Sequence, residues 1–95
     1  MNLNTEIIGF IGGALIIISL LPQLITIIIN KSSKNVSILT YLLFLIAEVL
    51  WCLYGVLKND LQVFLTNLIS GIITIIIIIA SIYFQYSNDI HTEQV

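Results

Sequence analysis

"IIGFIGGALIIISLLPQLITIII", residues 7–29, contains no Asp, Glu, Lys, Arg or His. A helix needs roughly 20 predominantly apolar residues to cross a bilayer core. Lipid offers nothing to pair with free backbone N–H and C=O groups, so such a segment must be helical. Two further stretches read alike. Between residues 37 and 57 the only charged side chain is Glu48, and between 61 and 86 there is none. The pattern predicts an all-α membrane protein. Its transmembrane helices fall at about 6–29, 37–57 and 62–84, forming one three-helix domain over residues 1–84. The polar remainder, 85–95, is expected to be a disordered cytoplasmic tail.

Composition agrees. The chain has 95 residues, 59% hydrophobic and 8% charged, with a mean hydropathy of +1.13. A soluble domain this small would leave far too much apolar surface in water. The first span is too long for the core of a signal peptide and is read as retained. Cys52 is the sole cysteine, so no intrachain disulfide forms, and it reads as a small apolar helix residue. His91 stands alone in the tail, and no metal-spaced cluster or phosphate loop is present. These features argue against an enzyme and against a resident cofactor or metal.

Loop charge sets an expected orientation. The first loop carries Lys31 and Lys34, whereas the second carries Lys58 beside Asp60. Positive charge in short loops stays cytoplasmic. The first loop and the C-terminus are therefore expected inside, and the N-terminus outside.

Each span has one face that does not suit lipid. In the first it is Gly9, Gly12, Gly13, Ser19 and Pro22; in the second, Tyr41, Phe44, Glu48, Trp51, Tyr54 and Lys58; in the third, Asn67, Ser70, Gly71, Thr74 and Ser81. These faces either glue helices together or line a polar path. Three helices packed as a triangle fill their own centre. A path is therefore expected on the axis of a homodimer, the commonest symmetric assembly.

Depth sorts the unusual residues. Trp51 lies about 9 Å along the helix from residue 57, and Asn67 lies at a similar depth in the third span. A flat apolar ring beside an amide that both donates and accepts suits a sugar. The plainer readings are an interfacial Trp and an interhelical hydrogen bond from Asn67. Glu48 sits one turn deeper, near the midplane. A charged carboxylate there costs at least ~2.5 kcal/mol, so the residue either carries a proton or faces a wet cavity. It is a candidate for a proton-linked role, or a neutral acid bonded to a neighbouring helix. At the far end Tyr54, Lys58 and Asp60 either form a gate or are ordinary loop residues.

Taken in order, "LPQL" (21–24), "WCLYGVLKND" (51–60) and "LTNLISG" (65–71) resemble the bacterial SemiSWEET sugar transporters of the PQ-loop group. The likeness covers about residues 5–84. It implies three-helix protomers that pair in parallel, each half of a SWEET-type fold, in the inner (cytoplasmic) membrane. It implies uniport of mono- or disaccharides of the glucose or sucrose class by alternating access, without ATP and without nucleic-acid partners. Trp51 and Asn67 would be substrate-binding residues, with Tyr54, Lys58 and Asp60 the extracellular gate and Phe44 the intracellular gate. Pro22 and Gln23 match the PQ motif. Two positions depart from the pattern: Lys58 stands where arginine is usual, and Glu48 has no counterpart. Glu48 raises proton-coupled sugar transport as the alternative. A holin-type pore and a small structural membrane subunit are the readings from other classes.

The PQ pair has its own physics. Proline's ring clashes with the carbonyl four residues back, here Ile18, and removes that carbonyl's helical partner. Gln23 is a candidate to satisfy the freed carbonyl. The pair is expected to act as a hinge, the plainer reading being a static kink.

Overall fold

The computed structural model describes residues 3–34 and 36–94, with side chains described for residues 5–34 and 36–90. The expected solvated side chain of His91, together with Val95, lies outside that set. The described residues form three helices: α1 (Leu3–Asn30), α2 (Ile38–Leu57) and α3 (Leu61–Gln94). Each is long and apolar enough to cross a membrane. Large apolar side chains such as Ile8, Ile29, Leu39 and Ile79 are exposed along their lengths, as lipid-facing positions should be.

The third helix is longer than expected. It continues through residues 85–94, so the described part of the tail read as disordered is helical. No Gly or Pro follows Gly71, and nothing else in the segment stops a helix. Asn88 Nδ2 also donates to the Lys31 carbonyl at 3.4 Å, tying this extension to the first loop.

The layout also differs from a triangle. α3 packs against both α1 and α2, while among the described residues α1 and α2 do not meet. The protomer is flattened, with Cα extents of 61 × 22 × 14 Å. Its small core lies along α3, where Ser70, Thr74, Ile77, Ile78 and Ser81 are buried.

Two local devices set the helix positions. α2 closes with Asn59 in the left-handed region (φ 55°). Asn59 N donates to the Val56 carbonyl at 3.2 Å and Asp60 N to the Gly55 carbonyl at 2.8 Å, the paired bonds of a Schellman close. Gly55 is needed there, because a Cβ would stand 2.8 Å from Phe64 N, a backbone atom that cannot swing aside. At the other end of the molecule, buried Ser33 of the first loop donates to the Ser81 carbonyl at 2.8 Å.

Candidate functional site

Because α1 and α2 stand apart, they form two walls with α3 as the floor between them. The resulting groove is a partly open cavity of about 610 Å³. Phe44, Glu48 and Trp51 of α2 and Asn67 and Ser70 of α3 line it together, facing Ser19 of α1. Gly12, with open space beside it, widens the α1 wall.

The α2 wall carries an edge-on aromatic pair at each end. Trp51 and Tyr54 have centroids 5.3 Å apart at 75°; Tyr41 and Phe44, 5.7 Å apart at 86°. Trp51 is half exposed, which leaves ring surface for a ligand in the groove. Asn67 Nδ2 donates to the Val63 carbonyl at 2.8 Å. This bond within α3 orients the amide, and among the described residues nothing donates to Asn67 Oδ1. The groove thus offers an aromatic face and an amide acceptor to a molecule with apolar C–H faces and hydroxyls.

Sequence reasoning missed Gln62 and Thr66, which also line the groove. Gln62 Nε2 donates to the Gly9 carbonyl at 2.8 Å and to Thr66 Oγ1 at 3.0 Å. It links α3 to α1 where Gly9 and Gly13 permit close approach. The signal was present: residues 62, 66, 70 and 74 follow an unbroken four-residue step of polar side chains, one helix face.

Glu48 packs flat on α3, its Cβ 3.8 Å from where a Cβ on Gly71 would stand. Its Oε2 lies 3.2 Å from Thr74 Oγ1. Its Oε1 is buried with no partner among the described residues.

Tyr54, Lys58 and Asp60, expected as a gate, are not gathered into the groove. Tyr54 touches it only through Trp51. Lys58 and Asp60 line a separate hollow of about 440 Å³ with Glu6 and Gln62, so Gln62 borders both spaces. Asp60 Oδ1 accepts from Val63 N at 3.2 Å, capping the start of α3. No ion pair joins Asp60 to Lys58 among the described residues.

Pro22 and Gln23 stand away from these residues. Pro22 is exposed and lies inside α1. Among the described residues, the Gln23 side chain makes no hydrogen bond, so the carbonyl partnership expected of it does not form in the protomer. Cys52 Sγ, half-buried on the side of α2 that faces α3, sits 3.8 Å from the Phe64 carbonyl. Among the described residues no three His, Cys, Asp or Glu side chains gather as metal ligands.

Comparison with known proteins bears on this geometry. Residues 5–64 match the model of the PQ loop repeat. The chain is 32% identical over 65 residues to a sugar transporter SemiSWEET of Leptospira biflexa serovar Patoc, covering 68% of this chain and 76% of that one. It is 34% identical over 70 residues to an uncharacterised protein of Methanocaldococcus jannaschii, covering 74% and 75% respectively. A crystal structure of a bacterial homologue of SWEET transporters superposes with a TM-score of 0.83 at 38% identity, covering 87% of this chain and 99% of the other. With the motif, three apolar spans and fold all in agreement, this chain belongs to the PQ-loop family and to its SemiSWEET branch.

Proposed function

We propose that this protein is a sugar transporter that works as a parallel homodimer by alternating access. The observation that carries the reading is the groove itself. Trp51 and Asn67 share it, yet it is open on one side because α1 and α2 do not meet. A second copy facing it across a two-fold axis along the membrane normal would enclose the space and double the ring and the amide.

Sugar would stack on Trp51 and accept or donate hydrogen bonds at Asn67. Closure on the outside would come from Tyr54, Lys58 and Asp60, the lysine of one protomer reaching the aspartate of the other. Closure on the inside would come from Phe44 beside Tyr41. The PQ pair would supply the flexible point in α1. Transport is facilitated diffusion in this scheme, in the inner membrane, with the N-terminus outside and the C-terminus inside. Relatives named as sugar transporters favour this reading over a lysis pore or a structural subunit.

The test is counterflow in proteoliposomes. Purified protein should exchange labelled glucose or sucrose against an internal load of the same sugar. Failure to exchange any member of a mono- and disaccharide panel, with correctly inserted protein, would sink the proposal.

A further inference from the structure

Three hydroxyls line the groove, those of Ser19, Thr66 and Ser70. Two of them spend their hydrogen on their own helix. Ser19 Oγ donates to the Ile16 carbonyl at 2.6 Å, and Ser70 Oγ donates to the Asn67 carbonyl at 3.3 Å. Thr74, one turn further along α3, likewise donates to the Ser70 carbonyl at 2.8 Å. Such back-bonding is a common fate of Ser and Thr inside a helix. Thr66 departs from it. Among the described residues its hydroxyl donates to nothing, and its one bond there is received: Gln62 Nε2 donates to Thr66 Oγ1 at 3.0 Å.

The neighbours on α1 account for this difference. Gln62 Nε2 is anchored by its bond to the Gly9 carbonyl at 2.8 Å. A primary amide has two hydrogens, and the second goes to Thr66. Gly13 supplies the room, because a Cβ there would collide with Thr66 Oγ1. A threonine hydroxyl has one hydrogen and two lone pairs. With a lone pair taken by Gln62 and no helix carbonyl engaged, the hydrogen is left for whatever occupies the groove. The next residue presents the complementary group. Asn67 Nδ2 is held by the Val63 carbonyl at 2.8 Å, while among the described residues nothing donates to Asn67 Oδ1. Consecutive residues of α3 thus offer the groove one donor and one acceptor.

We propose that Thr66 is a sugar-binding residue that sets specificity: its hydroxyl, positioned by Gln62, donates to one hydroxyl of the sugar while the adjacent sugar hydroxyl donates to Asn67 Oδ1. The inference rests on the transport reading above and adds the contact that tells one sugar from another. Each hydroxyl of a sugar both donates and accepts, and on a sugar ring hydroxyls stand on neighbouring carbons. One accepts from Thr66 and the next donates to Asn67, with a C–H face of the ring on Trp51. A site that hydrogen-bonds a substrate hydroxyl rejects the analogue lacking it, because its own polar group is then left unpaired. Thr66 is part-buried, so the selection has the scale of a neutral hydrogen bond. It reads the position and configuration of a hydroxyl and needs no coupled ion, in keeping with facilitated diffusion.

The test is competition in counterflow by the full-length protein in proteoliposomes. Unlabelled monodeoxy analogues of glucose, or of sucrose if that is the sugar exchanged, compete with the labelled parent. Wild type is compared with Thr66→Val, whose side chain keeps the shape and lacks the hydroxyl. In the wild type, one deoxy position should weaken competition roughly three- to tenfold, the scale of a neutral hydrogen bond. In Thr66→Val the parent sugar should weaken by that factor. The penalty at that one position should vanish, and those at the other positions should stay. Thr66→Ser, which retains the hydroxyl, should retain the penalty. Thr66→Ala gives the same reading if Thr66→Val does not insert. Equal weakening for every sugar, complete loss of exchange by folded protein, or an unchanged pattern overturns the assignment of Thr66 and leaves transport standing. Absence of counterflow in the wild type overturns the transport reading, and the Thr66 contact falls with it.

Discussion

Gln62 of α3 donates to the Gly9 carbonyl of α1 at 2.8 Å, across a gap so narrow that a Cβ on Gly9 would stand 2.9 Å from Gln62 Cδ. This is the polar tie between α1 and α3 beside the groove. Gln62→Leu should lower stability by about 1 kcal/mol, the usual scale of an interhelical hydrogen bond in a membrane. Thermal unfolding in detergent measures it. An unchanged midpoint would show that packing alone holds the two helices.

Trp51→Ala and Asn67→Ala should each reduce sugar counterflow roughly tenfold or more. The groove then loses its flat apolar face or its amide, and 1.4 kcal/mol already corresponds to a factor of ten. Both residues are at least partly exposed, so the variants should fold and insert normally. Undiminished exchange in both would move the sugar site elsewhere.

Asp60 caps α3, and substitution can separate that from the gate role proposed for it. Asparagine caps a helix about as well as aspartate, whereas alanine costs about 1 kcal/mol. Asp60→Asn should therefore keep wild-type stability, and Asp60→Ala should lose it. If the carboxylate pairs with the lysine of the other protomer, both variants should change uptake to the same extent. Lys58→Arg should act in the opposite sense. Its planar fork holds a carboxylate more firmly, so the closed state is favoured and counterflow slows.

Gly55→Ala should be far more damaging than a helical Gly→Ala exchange normally is. The new methyl would press on Phe64 N and on the Asp60 carbonyl, both backbone. Overpacking of this kind costs roughly 1–3 kcal/mol. Reduced expression and a lowered melting temperature are the expected readouts.

Pro22→Ala restores a backbone donor inside α1 and stiffens it. Sugar binding, followed by tryptophan fluorescence from Trp51, should survive while uptake falls. Loss of both together, or of neither, would make the proline a static bend.

The three spans were legible because charged residues are confined to their ends. The limits of α3 were not, since hydropathy marks where lipid begins and ends rather than where a helix stops. Residues 85–94 are polar but contain no helix breaker. The shared depth of Trp51 and Asn67 could be counted, because α2 ends and α3 begins at the tight turn around Asn59. The order of the helices could not be, because apolar periodicity gives a face but not a neighbour. Gln62 and Thr66 were not singled out, although their spacing places them with Ser70 and Thr74. Asp60 was read as a gate or an ordinary loop residue, yet an Asp directly before an apolar helical run is also a cap signal.

The bonds at the two ends of α1 change what its proline can accomplish. Gln62 secures one end at Gly9, and Ser33, just past the other end, is secured at Ser81. A beam pinned at both supports does not swing like a door. It bows at mid-span, and Pro22 lies between the pins. Small displacement at each support would then become a larger sideways excursion of the groove wall, which is the movement a narrow passage needs and which leaves both anchorages intact.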